Sequence, residues 1–224
     1  LAGAPAVVYS HVHQSTIVAW QPGGAIIRTR RRPLGSANWT DLDIPVGTGR
    51  QPLVFGALEI VELADGALRL FYLYQAPGGG AGDNDLDVLG SQDGGQTWEL
   101  VKERVITDVL GAPANVRDVK VARSGDWLRM ELYRDSAPTG LVSACSSDRC
   151  ATWQVVTDTP DGTDATTADT TRAWAYDLTG VDDQGTFLRV RRTTSIVLVY
   201  ELATRDSAWA SIKQTLSGGF SAPS

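Results

Sequence analysis

The chain has 224 residues, 42% of them hydrophobic, and a net charge of −6, with a pI near 4.9. It is long and apolar enough for one domain with a sizeable core, which excludes a disordered chain. The acidic balance argues against nucleic acid, which needs a basic face. No apolar run approaches the ~18 residues that would span a membrane.

The first expected strands are Ala6–Val12, Thr16–Trp20, Ala25–Arg30 and Trp39–Ile44, each a short apolar or alternating run bounded by turn residues. His11 and His13 alternate along the first run, so they share a strand face; two histidines alone are a weak metal signal beside that polar-face reading. Leu58-Glu59-Ile60-Val61 then leads through a turn to Ala67–Tyr74, which alternates over part of its length. A glycine-rich loop, 76–85, separates this strand from Leu86–Leu89. Within 82–87, Asp83, Asp85 and Asp87 would suit a calcium ion, which takes clustered oxygens, or form a solvated loop.

Arg117-Asp118-Val119-Lys120 and Tyr176-Asp177-Leu178-Thr179 repeat the pattern of Leu58–Val61, each preceding a turn and a further strand, Trp127–Tyr133 and Thr186–Arg191. No 11-residue window carries helical apolar spacing with caps. A polar, low-complexity loop runs over 157–171, and residues 217–224 have a linker-like composition. Trp39, Trp98, Trp153 and Trp209 are spaced by 59, 55 and 56 residues. Repeats of roughly 40–50 residues with four strands each are the signature of propeller blades. The expected fold is therefore all-β: a β-propeller, or a segment of one, with about four four-stranded blades over 5–46, 50–107, 112–158 and 172–216. Residues 1–216 would form this single domain.

Ser91-Gln92-Asp93-Gly94-Gly95-Gln96-Thr97-Trp98 fits the pattern S-x-D-x-G-x-T-W without a mismatch. It resembles the Asp box, the repeat of bacterial neuraminidases, and so implies an Asp-box β-propeller of the sialidase-like superfamily. Asp93-Gly94-Gly95 is itself a tight-turn sequence, because glycine reaches positive φ freely and aspartate bonds amides two residues on. Ser146, Asp148, Thr152 and Trp153 repeat the box, with Cys150 where the pattern has Gly95. The segments around Trp39 and Trp209 are more worn. In the sialidase-like families these boxes are structural, so Ser91, Asp93, Gly95, Thr97, Trp98 and their counterparts are read as architecture, with each Trp packed between neighbouring blades. Cys145 and Cys150 bracket the turn; they would form a disulfide in an oxidising compartment or stand as two free thiols.

The same resemblance places a ligand site at the opposite end of the blades. Strand geometry sends Glu59, Arg117, Asp118, Arg134, Asp135, Arg172, Trp174 and Asp177 there. Guanidinium forks grip carboxylates, indole faces stack on sugar rings, and paired carboxylates hydrolyse glycosides. Bland readings stand beside this: Glu59, Asp118 and Asp177 recur at one blade position and would bond backbone amides, and Arg134-Asp135 reads as a turn pair. A catalytic sialidase would be expected to carry an Arg-Ile-Pro segment, three arginines for the substrate carboxylate, a Tyr–Glu pair and an acid/base Asp in six blades. No Arg-Ile-Pro occurs. Val116-Arg117-Asp118-Val119-Lys120-Val121 also resembles the Arg-Asp-Pro-Lys-Val segment of five-bladed fructosidase-type glycosidases, where the Asp stabilises the transition state, but that family's Trp-Met-Asn-Asp and Glu-Cys segments are missing.

The expected function is a non-catalytic, secreted or cell-surface binding or scaffold module whose partner is a glycan or another protein. The alternative is a glycoside hydrolase of the sialidase-like kind, completed by further blades. A trimmed exported protein would begin as this chain does, at Leu1, and so would a truncated polypeptide.

Overall fold

The computed structural model describes residues 5–47, 49–50, 52–53, 58–77, 82–134, 140–156, 177–192, 198–205, 207 and 210–212. They form four antiparallel four-stranded sheets, each built from strands consecutive in the chain. Sheet 1 holds β1 (Ala6–Ser10), β2 (Ser15–Trp20), β3 (Ile26–Pro33) and β4 (Thr40–Pro45). Sheet 2 holds β5 (Leu58–Glu62), β6 (Leu68–Gln75), β7 (Asn84–Ser91) and β8 (Glu99–Lys102). A short helix, α1 (Val105–Leu110), then leads to sheet 3: β9 (Val116–Ser124), β10 (Trp127–Arg134), β11 (Gly140–Ser146) and β12 (Gln154–Val155). Sheet 4 holds β13 (Asp177–Gly180), β14 (Thr186–Arg192), β15 (Leu198–Thr204) and β16 (Ala210–Ile212).

The sheets stack through their faces. β6 shows why: Leu68, Leu70, Tyr72 and Tyr74 join Ile17, Ala19 and Ile27 in the core between sheets 1 and 2. The alternate residues Phe71 and Leu73 join Val119, Met130 and Leu132 in the core between sheets 2 and 3. Period-2 alternation thus buries both faces of one strand. A smaller core of Ala122, Leu178 and Phe187 joins sheets 3 and 4. The first strands of the sheets lie side by side, β1 by β5, β5 by β9 and β9 by β13, and no comparable packing returns from β13 to β1 among the described residues. Sheet 1 accordingly has one open face, on which Val7 is 59% and Tyr9 38% exposed. The described residues form a β-propeller segment of four sheets.

The box turns are closed by one net of hydrogen bonds. Asp93 accepts the N–H groups of Gln96 and Thr97 (both 2.9 Å) and the Thr97 hydroxyl (2.6 Å). The Ser91 hydroxyl donates to Asp93 and accepts the N–H of Gly95 (both 2.8 Å). Asp148, Thr152 and Ser146 repeat this net, and the N–H of Cys150 replaces that of Gly95 (3.1 Å). Cys150 therefore sits at φ 79°, where Gly95 sits at 89°, a conformation costly for a residue with a Cβ.

Cys145 and Cys150 form no disulfide with each other, which leaves the reading as two thiols; both are buried. Cys150 lies in the core between sheets 2 and 3 with Ala144; Cys145 follows Ala144 along β11 and so points to the other face of the sheet. The box tryptophans do not all pack between sheets. Trp153 lies in the core between sheets 2 and 3, against Phe71 with ring centroids 6.1 Å apart, and Trp98 packs half-buried on the core between sheets 1 and 2. Each faces the preceding sheet. Trp39 belongs to the first sheet, against which no described sheet packs on that side, and stays 37% exposed beneath the Arg32 guanidinium. Trp209 lies outside the described residues.

Candidate functional site

Turns alternate between the two ends of the stack, so the loops β2–β3, β4–β5, β6–β7 and β8–β9 gather at the end opposite the box turns. A polar cluster at that end joins Asp85 and Asp87, read from sequence as calcium candidates, to Arg50, Tyr72 and Tyr74, which the sequence reading did not single out. Tyr72 and Tyr74 on β6 pair across the ladder with Asp87 and Asp85 on β7. Arg50 Nη1 donates to Asp87 Oδ2 (2.9 Å), the Tyr72 hydroxyl to the same oxygen (3.1 Å), and the N–H of Arg104 to Oδ1 (2.8 Å). Arg50 Nη2 also lies 2.9 Å from Glu103 Oε1. The sequence signal was two alternating doublets, Tyr-x-Tyr then Asp-x-Asp, on consecutive strands.

Asp85 has a different task. The residue before α1, Arg104, is left-handed (φ 56°) and offers no side-chain cap. Asp85 reaches over from β7 and accepts the N–H groups of Ile106 (2.9 Å) and Thr107 (3.3 Å) and the Thr107 hydroxyl (2.5 Å). It satisfies the otherwise orphaned amides of the helix start. Burial pushes the Asp87 carboxyl above its ordinary value, opposed by the Arg104 amide and the Arg50 charge. Burial, then the Asp87 charge, drives the Tyr72 hydroxyl well above the usual phenol range, and Tyr74 follows in the same direction. These are buried neutral phenols, unsuited to nucleophilic attack. Asp85 and Asp87 are fully engaged by protein donors, and among the described residues no group of three His, Cys, Asp or Glu could hold a metal ion.

The residues expected at this end fall as follows. Glu59 lies on β5 and Asp118 on β9, both on first strands. Lys120, two residues beyond Asp118, donates to Glu59 Oε1 (2.7 Å) and joins these strands. Asp118 is 9% exposed and accepts the N–H of Val119 (2.9 Å). Burial raises its carboxyl pKa, and the Lys120 ammonium works against that rise. The pairing of β9 with β10 slips here, Tyr133 opposing Asp118 and Arg134 opposing Val116. Arg117 is the extra residue of this bulge, and its side chain is exposed. Asp177 opens β13 opposite Val190. Asp135, Arg172 and Trp174 lie outside the described residues. The structure therefore brings together Glu59 and Asp118, through Lys120, and sets Arg117 and Arg134 beside Asp118 along the bulge. This arrangement offers a carboxyl of shifted pKa, an ion pair and guanidinium groups on one rim, chemistry that recognises hydroxyls and carboxylates.

No family model matches the chain, and no curated protein matches it. Solved structures do. A Hadza microbial sialidase superposes on 92% of this chain with a TM-score of 0.60 at 13% identity. An endo-arabinase from Bacteroides thetaiotaomicron superposes on 97% with 0.58 at 13% identity. The NanB sialidase from Streptococcus pneumoniae superposes on 94% with 0.57 at 12% identity. The chain spans 43%, 81% and 52% of these proteins' own lengths. The likeness is one of fold: this chain shares the β-propeller architecture of these structures.

Proposed function

We propose that the chain is a glycan-binding β-propeller module, non-catalytic by itself, that takes its ligand at the end opposite the box turns and works outside the cell or at its surface. The observation carrying this reading is how the carboxylates of that end are engaged. Glu59 is held by Lys120, Asp87 by Arg50 and Tyr72, and Asp85 by the start of α1. A retaining or inverting glycosidase needs two carboxyl groups poised across one bond. The rim of Arg117, Asp118 and Arg134 suits a polar ring, and the sequence reading adds Asp135, Arg172, Trp174 and Asp177 to it. A protein partner would meet the same rim. The acidic balance speaks against nucleic acid, and among the described residues no helix is long and apolar enough to cross a membrane.

One observation favours the alternative of a glycoside hydrolase completed by further sheets: Asp118 is a buried carboxyl of raised pKa on a first strand, at the position matched by the Arg-Asp-Pro-Lys-Val resemblance. A glycan array with the wild type and the Arg117→Ala, Trp174→Ala double variant tests the first reading. Binding lost in a folded double variant supports it; equal binding overturns the site. Release of fluorophore from a sialoside or arabinoside, abolished by Asp118→Asn, would establish the alternative.

A further inference from the structure

A second polar site is built at the other end of the stack, where sheets 3 and 4 meet. A groove of about 540 Å³ is lined by Asp126, Trp127, Asp183, Gln184, Thr204 and Arg205. These come from three turns: β9–β10, β13–β14 and β15–β16. The turns are locked together below the groove. The Ser124 hydroxyl donates to Asp182 Oδ1 (3.0 Å) and accepts the N–H of Gly185 (2.9 Å). A Cβ on Gly125 would lie 2.1 Å from the Asp183 carbonyl, so the first two turns touch through backbone.

On this fixed floor stands a set of uncommitted polar side chains. Among the described residues, Asp126, Asp183, Gln184 and Arg205 form no side-chain hydrogen bond or ion pair, whereas Asp43 and Asp65 are bound by Arg28 and Arg149. Arg205 lies over the Trp127 ring, its guanidinium carbon 4.9 Å from the centroid. The indole and guanidinium planes, two carboxylates and a carboxamide thus converge on one rigid concavity within the usual size of ligand sites.

From this convergence we propose that the groove between sheets 3 and 4 is a binding site for a neutral saccharide. Sugar hydroxyls both donate and accept: Asp126 and Asp183 take their protons, Arg205 and Gln184 supply them, and the planar surface of Trp127 and Arg205 suits a pyranose face. Two carboxylates against one guanidinium disfavour an anionic ligand. The central guanidinium disfavours a simple cation. This site is independent of the rim at the opposite end.

The test is titration of the full chain with lactose, cellobiose, xylobiose and N,N′-diacetylchitobiose, followed by saturation-transfer NMR, with spermidine as a cationic control. The expected result is binding of at least one disaccharide, weakened about tenfold or more by Asp183→Ala with Arg205→Ala, as removal of charge-assisted hydrogen bonds predicts, and unaffected by Arg28→Ala on sheet 1. Both altered side chains are exposed, so the double variant keeps its fold, checked by circular dichroism. No disaccharide binding, or binding of spermidine alone, overturns the proposal. Binding lost in Arg117→Ala with Trp174→Ala but kept in the groove variant also overturns it, while sustaining the rim reading.

Discussion

Lys120 holds Glu59 across the junction of sheets 2 and 3, with Nζ 2.7 Å from Oε1. The same ammonium is the charge that works against the burial-raised pKa of Asp118. One lysine therefore ties two first strands together and keeps a buried carboxyl nearer its ionised form.

Lys120→Met should raise the Asp118 pKa further. A carboxyl whose folded pKa lies above its ordinary 3.8 binds more protons folded than unfolded between the two values, so stability falls as pH rises through that window. The variant should lose more stability between mildly acidic and neutral pH than the wild type, and adding Asp118→Asn should remove the excess loss. Denaturant titrations at the two pH values measure this. Equal pH dependence in all three proteins would disprove the coupling.

Asp93 works in the other direction. Burial raises its pKa, but the Thr97 hydroxyl and amide, the Ser91 hydroxyl and the Gln96 amide outweigh it and hold the carboxyl at about 2. Its stabilisation is complete above the ordinary 3.8 and is lost as pH falls toward about 2. Asp93→Asn should cost about 1 kcal/mol at neutral pH, the scale of a lost amide cap on a partly exposed turn. The difference from wild type should shrink on acidification. A gap that persists to the lowest accessible pH would mean that the carboxylate charge is not what closes the turn.

The box tryptophans should form a graded series. Trp153→Ala, in the core between sheets 2 and 3, should cost about 3–5 kcal/mol. Trp98→Ala should cost less, since the ring is half-buried, and Trp39→Ala under about 1 kcal/mol, as for a surface residue. Equilibrium unfolding gives the order. A Trp39 variant as damaged as the Trp153 variant would mean that the outer face of sheet 1 is covered.

What was legible in the sequence follows from what each feature demands. The box turn needs Ser, Asp and Thr at fixed offsets to satisfy its own amides, so it can be read from eight residues. Cys150 shows the limit: the turn accepts it at φ 79° because the Ser146–Asp148–Thr152 net survives. Strand positions were legible from alternation, but not which face meets a neighbour, which is why Trp39 was misplaced. α1 was invisible because its cap, Asp85, stands 20 residues before its first turn, on another element. The Arg50–Asp87–Tyr72 cluster is likewise assembled across loops. Arg129, Glu131, Arg189 and Glu201 are buried charges that the sequence reading did not single out; nothing local distinguishes a charge facing water from one facing another sheet.

Those four charges support the last prediction. Arg189 on β14 lies with Nη1 3.0 Å from Glu131 Oε2 and Nε 2.7 Å from Glu201 Oε2, bridging sheet 3 to its own sheet. Arg129 Nη1 donates to the carbonyls of Thr204 and Ser207 (both 3.1 Å). All four side chains are buried. Removing one member of such a set leaves charge in a poor solvent, which costs far more than the set gains over apolar packing. Arg189→Met should therefore destabilise by roughly 3–5 kcal/mol. The quadruple variant Arg129→Met, Glu131→Leu, Arg189→Met, Glu201→Leu should recover part of that loss, because Arg129 also pairs with Glu131 and no charge of the set is then left without its partner. Thermal unfolding of the two variants decides the matter. A quadruple variant less stable than the single one would show that the network contributes net attraction between sheets 3 and 4 beyond the cost of burying it.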